Sequence, residues 1–423
     1  MSSRRIIRKL RDRDFDVFLE IWAAAYPGQV PGNFTKEMRR QKKEEWINTN
    51  NENITVNFYG CFQDDKLLGG LILYDFEICL FSRYIVQCGG IGEVCVDLLY
   101  KKEHVSKELM QFAHTHFYER GYSLICLYPF RPDFYAKMGY GLGNKMNQYQ
   151  FEPKALPKGQ KSNISFLTLE DMKSLSECFN RYAKATHGMI LRSEENGFFR
   201  QMLSGMKVLG YWENEKMLGY LAFRMKRVDG GSWLQHNIHI VEFVYQSPEV
   251  LLSLLTFLAT QQDQVHKIVY NTHDHDFHHL LKEPRSHGNE NIFHIFQESN
   301  IQGVGIMYRV INLVKFFTLL SNHSFGDQSI KLKLTIQDTF LPKNNGNYII
   351  HFQKGKPIVI SSKDDFEAEV SLDIARFSSL VMGAVPLSKL YRYGLIELTD
   401  KNFLQILDKL FRTDEPPFTI EPF

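Results

Sequence analysis

The chain has 423 residues, more than one hydrophobic core usually contains, so two or three domains are expected. Its 50 basic residues balance 48 acidic ones, which excludes the strongly basic surface of a general nucleic-acid-binding protein. The N-terminal segment lacks the apolar core of a signal peptide, the longest apolar stretch is interrupted by charges, and the six cysteines show no CxxC spacing. These features predict a cytoplasmic protein with reduced thiols and no membrane partner.

The first part of the chain alternates short apolar segments with amphipathic ones, a pattern typical of an α/β fold. Asp64-Asp65 separates two apolar segments, which indicates a hairpin. The predicted elements are a strand over 5–10, a helix from Asp12 or Asp14 to Ala25, a charged helix over 36–48, and strands over 55–63, 66–74 and 77–86.

The stretch from Ile91 to Gly141 organises the chain. An apolar strand containing Val94, Cys95 and Val96 is followed by a basic turn over 100–104, a helix over 106–119 and a second apolar strand over 124–127. A helix that begins directly after a basic turn presents unpaired N–H groups and the positive end of its dipole, and these can hold a phosphate.

The turn resembles the Q/R-x-x-G-x-G/A signature of the GNAT N-acetyltransferases, although His104 stands where the first glycine is usual. By itself, such a turn is equally typical of a solvated loop. The resemblance implies acetyl-CoA as co-substrate, and His104 is expected to crowd it. The implied cofactor-binding residues are Val94, Cys95 and Val96 for the thioester, Lys102, Glu103, His104, Val105, Ser106 and Lys107 for the pyrophosphate, and Phe130 and Arg131 for further contacts.

The segment FYAKMGYG resembles the part of these enzymes that carries the general acid, and it aligns Tyr135 with that acid. More narrowly, the chain resembles the Eis (enhanced intracellular survival) branch, in which two GNAT domains precede a sterol-carrier-like domain and the terminal carboxylate enters the active site. The ending PPFTIEPF would place Phe423 there as the base. The alternatives are that Tyr135 is a packed aromatic residue and that Phe423 is a frayed terminus.

The segment from Ser162 to Asn271 repeats the plan of the first domain. The hairpin DDKLLGGLIL recurs as NEKMLGYLAF, and the strand residues Glu93 to Val96 recur as Glu242 to Tyr245. A helix over 248–261 and a strand over 267–270 follow. The basic turn and the FYAKMGYG segment do not recur, so the second copy is predicted to bind no coenzyme A.

Four histidines lie close together after the repeat: His273, His275, His278 and His279. Their spacing fits no familiar ligand pattern, and a loop that leads into a helix also explains their polarity. No metal site is therefore predicted.

The remainder of the chain resembles a sterol-carrier domain. The expected elements are a helix over 310–320, antiparallel strands over 330–336, 347–353 and 357–361, a helix over 371–382 and a last helix that ends near Phe411. Its apolar residues would either line a lipid pocket or form an ordinary core, and the core is the favoured interpretation.

Together, the patterns and the resemblance predict an α/β (α+β) chain with a GNAT domain over 1–155, a degenerate GNAT-like domain over 156–295 and a sterol-carrier-like domain over 296–423. The implied function is acetyl transfer to an amine of a small, aminoglycoside-like molecule or of a lysine side chain. The alternative is a non-catalytic protein that binds coenzyme A or another ligand. The resemblance also implies a homo-oligomer, a trimer or a hexamer.

Overall fold

The structure, a computed structural model, describes residues 4–193, 197–286, 291–360 and 365–423. Its first unit surrounds a mixed sheet. The strands are β1 (Ile6–Lys9), β2 (Val56–Gln63), β3 (Lys66–Leu80), β4 (Tyr84–Val96), β5 (Leu124–Leu127) and β6 (Gly141–Leu142), and the helices are α1 (Phe15–Ala25), α2 (Lys36–Glu52), α3 (Val105–Glu119) and α4 (Pro132–Ala136).

Both faces of the first sheet are covered, which explains why β3 reads as a nearly continuous apolar run. Side chains alternate between the faces along the strand. Leu71 and Leu73 belong to the core shared with α3, whereas Ile72 belongs to the core that contains Phe18 of α1. The apolar run therefore supports two separate cores.

The second unit has a sheet of the same design. Its elements are β7 (Met146–Phe151), β8 (Ile164–Phe166), β9 (Lys207–Glu213), β10 (Lys216–Arg227), β11 (His236–Tyr245), β12 (Val265–Thr272), a small hairpin of β13 (Asn291–Phe293) and β14 (Phe296–Gln297), β15 (Asn300–Gly303), and helices α5 (Met172–Lys184), α6 (Phe198–Gly205) and α7 (Pro248–Ala259). The two hairpin turns match as well, because Asp64, Asp65, Asn214 and Glu215 all have positive φ.

Each of the two sheets includes a strand from a distant part of the sequence. In the first sheet, β16 (Met307–Val310) lies between β5 and β6, although it follows the whole second unit in sequence. In the second sheet, β7 lies between β12 and β15, although in sequence it directly follows β6 of the first sheet. The sheets therefore do not separate at the predicted boundaries 155/156 and 295/296, since strand pairing joins segments that are distant in sequence.

The third unit contains α8 (Leu313–Leu319), β17 (Ile330–Gln337), β18 (Gly346–Gln353), β19 (Lys356–Ile360), β20 (Ala368–Asp373), α9 (Ile374–Val381), α10 (Leu387–Arg392), β21 (Glu397–Leu398) and α11 (Leu404–Leu410). Its sheet has the order β19-β18-β17-β20-β21. The interior is filled by aromatic rings: the Phe317 centroid lies 5.9 Å from that of Phe352 and 6.2 Å from that of Phe377. This filling fits a packed core.

Three expectations for the third unit were wrong in detail. Val310 ends a strand, and the helix begins only at Leu313, where the Asn312 side chain caps it. Ser371 also lies in a strand, because Asp373 caps the following helix. The sheet is mixed, since β17 and β20 are parallel. Capping side chains, more than apolar periodicity, set these helix starts.

One histidine joins the three units. His187 of the second unit accepts a hydrogen bond at Nδ1 from the Phe81 N–H of the first unit, at 3.0 Å. Its Nε2 lies 3.1 Å from the Met382 carbonyl oxygen of the third unit. Burial lowers the pKa of His187 to about 4, so the neutral ring makes these contacts at neutral pH.

All six cysteines are buried and unpaired. Among the helices that the structure describes, none has the length and apolar character needed to cross a membrane.

Candidate active site

Two parallel strands of the first sheet, β4 and β5, separate after a short paired stretch and leave a gap between them. β4 and β5 pair only from Cys88 opposite Leu124 to Ile91 opposite Leu127. Beyond this point, β4 continues alongside β3, and a bulge begins at Glu93, whose φ is +50°. The carboxyl ends of parallel strands are where open α/β sheets bind ligands, so this gap is the expected position of a site.

The backbone of β4 faces this gap at alternate residues. A methyl group on Gly69 of β3 would lie 2.5 Å from the Cys95 carbonyl oxygen, so Cys95 directs its polar backbone groups toward β3. Because this direction alternates along a regular strand, the N–H group of Val96 faces away from β3, whereas the bulge interrupts the alternation at Val94. Of the predicted strand site, Val96 directs its N–H away from β3, Val94 accepts a hydrogen bond at its carbonyl oxygen from the Tyr26 hydroxyl, and Cys95 has a buried thiol.

The basic turn and the start of α3 lie at the same edge of the sheet. Lys102 and His104 have φ values of +70° and +66°. The first helical hydrogen bond runs from the Glu108 N–H to the His104 carbonyl, at 3.0 Å, so the amides of 105–107 precede it and lack a helical partner. No side-chain cap occupies the helix start at His104. With exposed Lys102 and Lys107 beside it, this turn fits the diphosphate of a coenzyme.

The turn is attached to the body of the unit by Arg5. Its guanidinium donates to the Glu103 carbonyl oxygen at 2.6 Å and forms ion pairs with the carboxylates of Glu103 and Glu108, both at 3.0 Å. His104 occupies the left-handed conformation that glycine adopts without strain, which explains why the related signature has glycine at this position.

Tyr135 lies in α4, buried among aromatic rings. Its ring centroid is 5.6 Å from that of Phe130 and 5.2 Å from that of Phe134. Burial raises the pKa of Tyr135, so its hydroxyl keeps its proton at neutral pH. The Tyr26 hydroxyl, which interacts electrostatically with Tyr135, donates to the Val94 carbonyl oxygen at 2.8 Å. Tyr135 also belongs to the hydrophobic cluster against which Val94 and Val96 pack, so it lies beside this part of β4.

The chain terminus lies at this opening. The Phe423 ring packs against Phe76 at 4.9 Å, Tyr128 at 5.2 Å and Tyr74 at 5.6 Å between centroids. A methyl group on Gly92 would lie 3.4 Å from the carboxyl carbon of Phe423. The structure thus packs the terminus against β4, one residue before the bulge.

The residues before the terminus run along the second unit. The Phe418 N–H donates to the His187 carbonyl oxygen at 2.7 Å, and Nε2 of His273 lies 2.9 Å from the Thr419 carbonyl oxygen. His273, one of the four clustered histidines, therefore contacts the tail. Of the others, His278 and His279 lie together with Asp276, with possible ligand atoms within 4.8 Å of one another at a partly exposed surface.

Phe130 and Arg131 lie at the entrance to α4. Phe130 is 58% exposed, and Arg131 forms an ion pair with Asp133 at 2.6 Å. Their exposure leaves both side chains accessible to a ligand in the gap, so the predicted contacts remain a proposal.

Sequence reasoning missed Glu93 as a functional candidate. The Trp22 indole N–H donates to its carboxylate at 2.7 Å, and burial raises the pKa of Glu93. The residue lies next to the opening, beside Tyr26. Its recurrence as Glu242 in the repeat was the available signal, but the bulge that directs Glu93 depends on strand pairing.

Comparison with known proteins agrees with this architecture. A model of the acetyltransferase (GNAT) domain matches residues 6–143, and another model with the same description matches residues 188–309. A model of the sterol carrier protein domain matches residues 315–420. No curated protein matches the chain in sequence.

Several solved structures share the fold along the whole chain. A GCN5-related N-acetyltransferase from Anabaena variabilis is 19% identical with a TM-score of 0.81, covering 99% of this chain and 100% of its own. A probable N-acyltransferase from Enterococcus faecalis is 18% identical with a TM-score of 0.77, covering 100% of both chains. Eis1 from Mycobacterium abscessus is 18% identical with a TM-score of 0.76, covering 99% of this chain and 100% of its own.

Proposed function

We propose that this chain, an enzyme of the GNAT acyltransferases with the Eis-like arrangement of two GNAT domains and a sterol carrier domain, transfers acetyl from acetyl-CoA to an amine. The observation that supports this most directly is the position of the terminus. The carboxyl carbon of Phe423 lies against Gly92, where β4 and β5 separate. In this proposal, the terminal carboxylate acts as the base beside the backbone donors of β4.

In this proposal, acetyl-CoA lies between the opening and the basic turn. The amides of Val105, Ser106 and Lys107 bind the pyrophosphate, and the charges of Lys102 and Lys107 add to the dipole of α3. Phe130 and Arg131 border the coenzyme from the other side. We propose one such coenzyme site per chain, because the basic turn over 100–104 does not recur in the second GNAT domain.

The chemistry forms a bond between the amine nitrogen and the acetyl carbon and breaks the bond from that carbon to sulfur. The Phe423 carboxylate accepts the proton that the amine loses. The N–H groups of Val94 and Val96 stabilise the oxyanion, and Tyr135 donates a proton to the departing thiolate. The carboxylate then releases its proton and Tyr135 regains one, so the amine has lost one proton and the thiol has gained one.

The surroundings of the opening favour a cationic acceptor. The Phe423 carboxylate and Glu93 supply negative charge, and the ring of Tyr128, which is 40% exposed, supplies a π face that attracts cations. An aminoglycoside-like molecule with several amines fits these features, and a lysine side chain is the alternative acceptor.

A second candidate function is non-catalytic binding of coenzyme A or of another ligand. The observation in its favour is the side chain of His104, which stands exposed in the turn where a glycine would leave room. A turnover screen of acetyl-CoA with aminoglycosides, polyamines and lysine peptides tests both candidates, with Tyr135→Phe as the matched inactive variant. Turnover that falls about 100-fold in Tyr135→Phe supports the enzyme. Coenzyme A binding without turnover of any amine supports the binding protein.

We also propose that the chain forms a homo-oligomer, a trimer or a hexamer. The hairpin of β13 and β14 exposes four large apolar residues: Ile292, Phe293, Ile295 and Phe296. An isolated two-stranded hairpin is marginally stable in water, and exposed apolar patches often mark interfaces. Light scattering after size-exclusion chromatography should give three or six chains, and a single chain contradicts this proposal.

The proposed compartment is the cytoplasm, because six buried thiols without disulfides suit a reducing environment. Cell fractionation with an antibody against the protein tests this proposal, and recovery in an oxidising compartment contradicts it.

A further inference from the structure

We infer that Arg192, in the second GNAT domain, is a positioning residue for the active site of the first, because it holds Glu421 and thereby places the carboxylate of Phe423. The inference rests on the proposed function of that carboxylate. It gives the second domain a role in the reaction, although this domain lacks the basic turn.

Arg192 forms the centre of a buried network. Its side chain is 0% exposed, and its Nε lies 2.5 Å from the Glu421 carboxylate. Its other nitrogens lie 3.0 and 2.8 Å from the two carboxylate oxygens of Glu242. The guanidinium lies 4.0 Å from the ring centroid of Phe179 and 3.8 Å from that of Phe198. Two carboxylates and two ring faces thus hold this cation in one orientation.

The network occupies the position in the second domain that corresponds to Glu93 in the first. Glu242 is the repeat counterpart of Glu93: Glu93 lies on β4 and Glu242 on β11, and each of these strands follows the hairpin of its unit. Glu93 borders the opening in the first domain, whereas Glu242 is neutralised by Arg192. Phe418 and Ile420 of the tail pack against the core of the second domain. The second domain therefore binds the tail on the side where the first domain would bind its acceptor.

Glu421, which Arg192 holds, lies only a short distance along the chain from the terminal carboxylate. Phe423 follows Glu421 by two residues, which span at most about 7 Å. Pro422 between them fixes one backbone angle, and the Tyr128 hydroxyl donates to the Glu421 carbonyl oxygen at 3.0 Å. Release of Glu421 would therefore shift the terminal carboxylate, and a shift of about 1 Å in a catalytic group can reduce the rate about 100-fold.

The test uses Glu421→Ala in the full chain. This change leaves Arg192 paired with Glu242, so the interior keeps a balanced ion pair. Glu415→Ala, at an exposed position of the same tail, is the matched control. A carboxypeptidase that accepts a penultimate proline reports tail release without reference to activity. We expect Glu421→Ala to lose Phe423 at least ~10-fold faster, and kcat to fall up to about 100-fold with the Kd for coenzyme A unchanged.

A second variant, Arg192→Lys, keeps the charge but loses the fork geometry that contacts both carboxylates. We expect it to release the tail as Glu421→Ala does while the far-ultraviolet circular dichroism stays unchanged. A chain that combines Glu421→Ala with added terminal glycines should lose less kcat than the product of the two separate losses, because both changes displace the same carboxylate.

If the carboxypeptidase removes Phe423 from Glu421→Ala no faster than from the unaltered chain, the inference is overturned. If Phe423 is removed faster but kcat is unchanged, Arg192 does hold the tail through Glu421. That result would instead refute the proposed role of the carboxylate as the base.

Discussion

The two GNAT domains of this chain share a scaffold but differ in what occupies each site. A methyl group on Gly69 would lie 2.5 Å from the Cys95 carbonyl, and one on the equivalent Gly219 would lie 2.6 Å from the Val244 carbonyl, so the strands approach equally closely in both copies. The difference lies at the helix that follows. α3 begins at His104 without a side-chain cap, whereas α7 begins with Pro248, and Ser247 accepts a hydrogen bond from the Val250 N–H.

These local differences change how many free backbone donors each helix start offers to an anion. Proline has no N–H to offer, and a capped amide is already used, so the start of α7 presents fewer free donors than that of α3. The second domain therefore keeps its fold without a phosphate cradle. Its Glu242 contacts Arg192 inside the protein, while Glu93 remains at the opening. In our proposal, the duplicated fold thus provides a catalytic unit and a unit that holds the tail.

The largest expected effect comes from moving the terminal carboxylate. Two glycines added after Phe423 keep every side chain but shift the charged group, so kcat should fall at least ~100-fold, the usual scale for a general base. Coenzyme A affinity should stay nearly unchanged. The matched control inserts the same glycines after Gly230, an exposed turn of the second domain. Full activity of the extended chain would mean that Glu93 or another side chain is the base.

The contact between the domains should be sensitive to acid. The pKa of buried His187 is about 4, below the ordinary value of 6.5, so the neutral ring stabilises the fold above pH 6.5 and this stabilisation is lost as pH falls toward 4. The loss is on the order of 3 kcal/mol, at about 1.4 kcal/mol per pKa unit. Thermal unfolding between pH 7 and pH 4 measures it, with His187→Gln compared against His266→Gln at an exposed site. Equal acid sensitivity of the two variants would contradict this role.

Coenzyme A should bind once per chain, in the first domain. Lys102→Glu combined with Lys107→Glu reverses two charges beside the start of α3, so affinity should fall at least ~10-fold, since each reversal near a bound phosphate costs on the order of 1 kcal/mol. Lys216→Glu with Lys226→Glu makes the same change on the exposed surface of the second domain and should have no effect. Calorimetry giving two sites, or unchanged binding by the first pair, would remove the distinction between the domains.

The smallest expected effect is that of His104→Gly. The φ of +66° at this position costs a non-glycine residue about 1 kcal/mol, so glycine should stabilise the fold slightly and leave coenzyme A affinity unchanged or tighter. Lys354→Gly, at φ +48° in the third unit, should give the stability gain alone. Markedly weaker binding by a folded His104→Gly variant would show that the imidazole is a ligand.

Much of the architecture was accessible from the sequence because it depends on local patterns. The hairpin turns at Asp64-Asp65 and Asn214-Glu215, the strand–turn–helix unit around His104 and the segment around Tyr135 all lie within short stretches. The repeat also predicted that two domains of the same design would form, and the two matching GNAT models confirm this.

Other features were decided only by tertiary structure. The exchange of β7 and β16 between sheets, the bulge at Glu93 and the junction at His187 each join segments far apart in the chain. The pairing of Arg192 with Glu421 does the same. Apolar periodicity predicts which face of a helix or strand is buried, but it does not predict which element packs against that face. Strand pairing and ion pairs depend on the assembled fold. The sequence by itself therefore determined the units and their candidate chemistry, and the packing of the units determined where the chain terminus lies.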